Sequence, residues 1–599
     1  MLLIGVWAIV RARPTRGRWG PAIDAAWLLL AIPALLWPIA NGEPFWYRAA
    51  NPTGGDVVWG VVAIVVILEA ARRTTGWILP VSAAGFLAYA LGGPLLARIG
   101  LAGISHRGYD LPRLVGNLYM TLEGIYGVPL DVAVTYIVLF SVYGAVLERS
   151  GAGTFFLDFA MSLSSGRHPA AAAGRSVTLA GFLLGTVSGS GVATTVTLGS
   201  VAWPVLRRVG FAPETAGAML AASGIGALLS PPTLGAAAFL IAEYLRISYL
   251  QVLIMATLPT LLYYLSILLM IEGESSRVPG FRGSEVPEFS GDTRTRTTEP
   301  RNRTPELRNS GTPERKQYFH FMSLVLVAVL MLIGMSPFRA VFWATLAAVA
   351  LSFLGRREEW LAPRRLGGAL VAGGLDVLPV LATTAVAGII VGVVTLTGLG
   401  LKAAGVIVGL AGGSLALTVV FGAIAVWILG LAVPVTASYI ISAVMVVPAL
   451  TKVGVAPAAA HMFIFYYAVL SEVSPPTALA PFAAAALTGG RPFRTMMLTW
   501  KYALPAFIVP FAFTLDPRGL GLLLQGSVVD ALLSGATAAA GVTALAMAFS
   551  GWALRGSAAS RLIAGAGGLL LFHPRPEADG AGLALILLAI VIARVRPRA

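Results

Sequence analysis

The chain has no cysteine and only five histidines in 599 residues, which excludes a disulfide framework, a thiolate metal site and a cysteine nucleophile. It is also poor in charge. Asp, Glu, Lys and Arg make up 12% of it, far below the usual share for a soluble domain. No G-x-x-x-x-G-K-[ST] loop occurs, so nothing points to a nucleotide-driven pump. The apolar runs hold no nucleophile, metal cluster or carboxylate pair spaced for catalysis, and the chain is expected not to be an enzyme or to carry a cofactor. Met1 to Val10 is apolar, without a basic start or a small-residue cleavage site before Arg11, so no cleavable signal peptide is expected.

What is present is apolar residue, at 57% of the chain and a mean hydropathy of +0.82. That is more apolar surface than a water-soluble core can bury, and it predicts an all-α polytopic membrane protein. The formal charge of +15 does not indicate nucleic acid, because the Lys and Arg residues sit in short groups between apolar runs. This is the positive-inside pattern. Arg11, Arg13, Arg16 and Arg18 mark the inside, apolar runs follow at 22–40, 56–71 and 77–97, and Arg72 and Arg73 return to the inside. The stretch Ile104 to Tyr126 mixes charge with Leu and aromatics and reads as an interfacial helix. Arg594, Arg596 and Arg598 place the C-terminus inside a cell membrane, in the cytoplasm.

The chain contains a duplication. Shifted by 244 positions, Pro204, Leu206, Val209, Gly210, Ala212, Pro213, Ala216, Ser230, Pro231, Pro232 and Thr233 fall on identical residues, ending at Ser474, Pro475, Pro476 and Thr477. The matches cluster on prolines and polar residues that this composition favours least, so a repeated unit is inferred. Ser-Pro-Pro-Thr cannot continue a helix, since two prolines remove two N–H donors and clash with the preceding turn. Freed backbone groups are tolerated in lipid only where protein buries them or where they line a polar cavity, and paired broken helices in two repeats point to a transporter's central site.

Charge placement organises the rest. Residues 1–125 form a small leading membrane domain, 126–272 a first repeat, 273–317 a polar, disordered cytoplasmic linker, 318–366 a helical hairpin, 367–516 a second repeat, and 517–599 C-terminal helices. Each repeat is read as a span, a re-entrant hairpin, a broken helix and a further span. The hairpin between them leaves the repeats in opposite orientations, the symmetry of alternating-access carriers.

Several motifs in fixed order, among them Ser188-Gly-Ser-Gly-Val-Ala, Pro231-Pro232 followed by Gly235-Ala-Ala-Ala-Phe239, Gly388 to Lys402, and His461-Met-Phe-Ile-Phe-Tyr466 before Ser474-Pro-Pro, resemble the fused permeases of tripartite ATP-independent periplasmic (TRAP) transporters. The likeness is greatest to the subgroup served by TAXI-type binding proteins and covers about residues 20–515. The resemblance implies a small subunit fused to a large one, an elevator-type transport domain with two hairpins, sodium-driven uptake, and delivery of the solute by a separate extracytoplasmic binding protein. Thr194 stands where the family usually has Asn, and its hydroxyl still offers an oxygen.

Beside that resemblance stands a physical case for sodium. A hard monovalent cation is satisfied by hydroxyls and unwound carbonyls without a buried carboxylate. One site would draw on Ser188, Gly189, Ser190, Thr194, Ser230 and Thr233, the other on Val433, Thr436, Ser438, Ser474 and Thr477. Helix N-termini after each break would face an anionic solute, such as a carboxylate, held between the tips. Thr195, Tyr439 and Glu472 are placed as solute-facing, with Glu472 also a candidate proton or cation ligand; His461 is read as a hydrogen-bonded packing residue. A proton-coupled carrier, a carrier without a binding protein and a channel remain as alternatives.

Overall fold

The computed structural model describes residues 6, 9–10, 14–15, 17–163, 169–276, 318–431, 433–475, 478–551, 554, 558–573 and 575–595. Pro476, Thr477 and nearly all of the linker expected at 273–317 lie outside the described residues. Those described are helical with no strand, and ten helices among them are long and apolar enough to cross a membrane. The protein is an all-α polytopic membrane protein.

Three helices lead the chain: α1 (Gly20–Asn41), α2 (Gly54–Thr75) and α3 (Ile78–Leu91). Thr53 and Asp56 form a capping box that starts α2, and buried Asp56 also holds Arg48 at 2.6 Å and the Trp37 indole at 2.9 Å. The expected interfacial helix over Ile104–Tyr126 is much shorter. Only α4 (Leu111–Tyr119) is regular there, capped by Asp110, and the turn after it folds Gly124 onto the Leu118 backbone, too close for any side chain. Leu114, Val115, Leu118 and Tyr119 are buried. The stretch packs between α2 and the second repeat.

The first repeat comprises α5 (Val128–Arg149), α6 (Ala152–Ser162), α7 (Pro169–Ser188), α8 (Gly191–Arg208), α9 (Pro213–Ile225), α10 (Ala237–Leu245) and α11 (Tyr249–Ser275). The pair α12 (Phe319–Leu332) and α13 (Pro337–Ser352) follows. The second repeat is α14 (Pro363–Thr397), α15 (Leu399–Leu410), α16 (Leu415–Gly430), α17 (Val435–Lys452), α18 (Pro457–Leu470), α19 (Leu479–Thr488) and α20 (Pro492–Leu515). A shift of 244 carries the bounds of α8 onto those of α17 without remainder, and α9 onto α18 to within one residue. The repeat inferred from prolines is thus a repeat of helices.

The 35-residue α14 is the spine on which α2, α3, α5 and α17 pack. Small residues allow the approach: a Cβ on Gly373 would lie 2.7 Å from the Val142 Cα, and one on Gly388 would lie 2.5 Å from the Gly124 carbonyl. Side chains then fasten the leading segment to this spine, with Asn117 donating to the Gly392 carbonyl at 3.1 Å, Tyr109 to that of Leu396 at 2.6 Å, and Lys402 to that of Ser105 at 2.6 Å. After the repeats come α21 (Val528–Ser550), which packs on α11, then α22 (Ala558–Leu570) and α23 (Pro576–Val595).

Candidate functional site

Two hairpin turns and two helix breaks lie close together. At the first turn α7 stops at Ser188, and Gly189 adopts a φ of 59°, the left-handed conformation that glycine takes without a Cβ penalty. Ser190 caps α8 by accepting from the Ala193 N–H. In the second turn, Val433 and Pro434 lead into α17 after Gly430.

The first break follows a tight turn at Gly226–Leu229, and the second one at Ser471–Val473. Both then form the same bonds. Ser230 donates to the Gly226 carbonyl at 2.7 Å and Ser474 to that of Leu470 at 2.8 Å. The N–H of Leu234 reaches the Ser230 carbonyl at 3.1 Å, and that of Ala478 reaches the Ser474 carbonyl at 3.0 Å. Leu234 and Ala478, 244 positions apart, have φ of 40° and 28°. Non-glycine residues there are strained by about 1–3 kcal/mol each, and such strain gathers at working sites. The carbonyls just before each break, of Leu229 and Val473, accept side-chain donors from the following helix, Thr260 and Trp500 respectively.

Not every predicted oxygen is free. The Thr233 hydroxyl donates to Gly185 in α7 at 3.2 Å, and Tyr249 donates to the Thr233 carbonyl at 2.8 Å, so the first break is tied to the first hairpin and to α11. Thr195 donates to Gly191 at 2.7 Å and is pressed onto Gly224 of α9. Tyr439 is bonded to Nδ1 of His461 at 2.7 Å, and His461 stacks on Tyr244 of α10. His461 is therefore a bonded packing residue, as its sequence context suggested.

Two hydroxyls of the predicted set stand apart. Thr194 and Ser438 occupy the same position in the first turn of α8 and α17, are 1% and 0% exposed, and have no hydrogen-bond partner among the described residues, as is also true of Ser223 on α9 and Ser442 on α17. Each orphaned buried hydroxyl costs about 1–3 kcal/mol unless something else satisfies it. Ser438 faces Ser471: a Cβ on Gly430 would lie 2.8 Å from the Ser438 Oγ and 2.9 Å from that of Ser471. Ser471, whose hydroxyl donates to the Ala468 carbonyl at 2.6 Å, was not anticipated, although a serine one turn before the second break was visible in the sequence.

The repeats are not electrically alike. Where the first carries Leu228, the second carries Glu472, whose Oε2 is buried and unpartnered and points at Gly191 at the start of α8. Among the described residues, no three His, Cys, Asp or Glu side chains converge, so a cation at the tips would be held by neutral oxygens with at most this one carboxylate. Each hairpin arm also packs on the other repeat's second half-helix, α8 on α19 through Gly199 and Leu487, and α17 on α10 through Tyr439 and Tyr244.

The family model described as "Tripartite ATP-independent periplasmic transporter, DctM component" matches residues 62–518, from within α2 to just past the end of α20. No curated protein matches the chain.

Proposed function

The chain belongs to the DctM-component family of tripartite ATP-independent periplasmic transporters, a family of secondary transporters that work with a solute-binding protein, and from that premise we propose that it performs sodium-driven uptake of a small carboxylate anion by alternating access. The observation that carries sodium coupling is the matched pair of orphaned hydroxyls on Thr194 and Ser438. A cation that binds there turns two costs into ligands, with Ser188, Gly189, Ser190, Ser230 and Thr233 around the first tip and Val433, Thr436, Ser471, Ser474 and Thr477 around the second. The sodium ion is cargo and coupling ion, and is held by oxygens without acid–base chemistry.

The solute arrives from an extracytoplasmic binding protein. With no basic side chain on the hairpin turns, a carboxylate is met by the N-termini of α8 and α17, where unpaired N–H groups carry partial positive charge. The hairpins and broken helices move together as an elevator against the spine of α14, α5 and the leading helices, with residues 1–125 in the place of a fused small subunit. Transport and not catalysis is the activity, and the arginine distribution puts the C-terminus in the cytoplasm.

The test uses sodium itself as the probe. The thermal unfolding midpoint of the purified full-length chain is measured in NaCl and in choline chloride at equal ionic strength. A sodium-specific rise in the wild type that shrinks in both T194A and S438A is expected, since a bound ligand stabilises by about 2.7 kcal/mol at a hundred times its Kd. A rise of equal size in all three proteins would remove these hydroxyls from the site.

A further inference from the structure

A crevice of about 250 Å³ lies among α1, α2 and α3, on the outside of the leading helices and away from the hairpins. Trp27, Val65, Val81 and Ala84 form its apolar walls, and Arg72 and Trp77 stand at one end. Val65, Val81 and Ala84 are exposed, on a helix long enough to cross a membrane and on the shorter apolar helix α3 beside it, so the crevice is taken to open toward lipid. Pockets that enclose a whole small-molecule ligand run to about 300–1,000 Å³; this one suits part of a long apolar chain.

Its two ends differ in chemistry. Arg72 sits in the last turn of α2 and Trp77 just before α3, at the level where helices leave the hydrocarbon. Val65 lies seven residues earlier in α2, about 10 Å deeper at 1.5 Å per residue. The Arg72 guanidinium lies 5.0 Å from the Trp77 ring and gives Nε and Nη2 to Glu69 at 2.6 and 2.8 Å. Its Nη1 and the Trp77 indole N–H form no hydrogen bond among the described residues, which leaves two donors at the mouth of an apolar slot. Glu69 also lines the crevice, and it accepts from Arg73 at 2.8 Å as well, so its single charge is balanced by two guanidiniums.

We propose that this crevice binds a glycerophospholipid, with one acyl chain between Trp27 and Ala84 and the phosphodiester on Arg72 Nη1 and Trp77 Nε1. The phosphodiester matches the donors because a planar guanidinium engages phosphate with charge-assisted hydrogen bonds. The acyl chain matches the walls because it packs along Trp27, Val65, Val81 and Ala84 without requiring any polar group at depth. The lipid so held fills the outer seam between α1, α2 and α3, next to the face on which α2 and α3 grip the spine helix α14.

Native mass spectrometry of the full-length chain, released from nanodiscs of phosphatidylcholine or phosphatidylglycerol with added diacylglycerol, tests this. The wild type is expected to retain one phospholipid of either kind and little diacylglycerol. Ala84→Phe, which fills the slot from its lipid-facing side, should abolish retention, and Arg72→Gln should lower it at least several-fold. Trp77→Phe keeps the ring beneath the guanidinium and removes only the N–H, so it covers the case in which the Arg72 variant fails to fold, and it should give a smaller loss. Equal retention by wild type and Ala84→Phe overturns the site, and retention of diacylglycerol as firmly as phospholipid overturns the phosphate contact.

Discussion

Glu472 Oε2 lies 2.8 Å from where a Cβ on Gly191 would stand, so the acid of the second break is pressed against the opening turn of the first hairpin's inner arm. The same hypothetical Cβ meets the Ile225 backbone at 3.2 Å. Gly191 is thus a point at which the hairpin of the first repeat touches both the second break and the end of α9.

Gly191→Ala tests that contact. A methyl group there must push the Glu472 carboxyl and the end of α9 away together, and overpacking of this kind costs about 1–3 kcal/mol. Sodium-specific stabilisation should fall while the protein still inserts and purifies. Full stabilisation by NaCl in this variant would mean that the two repeats do not communicate through Gly191.

Glu472→Gln keeps the shape and removes the negative charge. If that carboxylate offsets the charge of a cation at the first tip, the apparent sodium affinity should drop by about tenfold, the equivalent of roughly 1.4 kcal/mol. Isothermal titration of the purified protein with NaCl reads this directly. An unchanged affinity would confine Glu472 to packing.

Ala478→Gly should stabilise the fold, and Leu234→Gly should not. Both positions hold positive φ, where glycine escapes the Cβ penalty, though part of the gain is lost to the freer unfolded chain. Leu234 is also buried, and removing its side chain leaves a cavity that costs about 2–5 kcal/mol, more than the roughly 1–3 kcal/mol of strain relieved. The unfolding midpoint is expected to rise in Ala478→Gly and to fall in Leu234→Gly. A fall in Ala478→Gly would show that backbone strain is not what its φ costs.

Replacing Pro231-Pro232 with Ala-Ala should let α9 run on through the break, since alanine restores the donors and favours helix. The hydroxyl of Thr233 would then leave its present partner, while the N–H of Leu234 would keep the Ser230 carbonyl as its helical i−4 acceptor. Helix content by circular dichroism should hold or rise while the sodium-specific stabilisation disappears. A double mutant that responds to sodium like the wild type would reduce the break to a kink.

Cysteines can report orientation because the chain has none of its own. One at Gly54, the first residue of α2, should react in intact cells with an impermeant thiol reagent applied from outside, and one at Gly490, between α19 and α20, should not. Labelling of Gly490→Cys from outside would reverse the proposed orientation of the second repeat.

Much of this molecule is determined by short-range chemistry and was legible in the chain. Runs of apolar residues must become helices in lipid because no other open structure satisfies their backbone groups, and Ser230-Pro-Pro-Thr and Ser474-Pro-Pro must interrupt them because proline has no N–H to give. The register of 244 residues follows from those marks alone. Other features depend on what happens to lie within three ångströms in space. Thr195, Ser230, Thr233 and Ser474 looked as available as Thr194 and Ser438, yet the first four spend their hydroxyls on nearby carbonyls and only the last two are left without partners. The segment after Ile104 looked like one amphipathic helix, but only Leu111–Tyr119 is regular, and carbonyls at the end of α14 accept from Tyr109 and Asn117 and fasten it to the protein. The crossing of each hairpin arm onto the opposite repeat, and with it the meeting of Glu472 and Gly191, was decided only by tertiary packing, because residues 281 positions apart share no local pattern that could announce their contact.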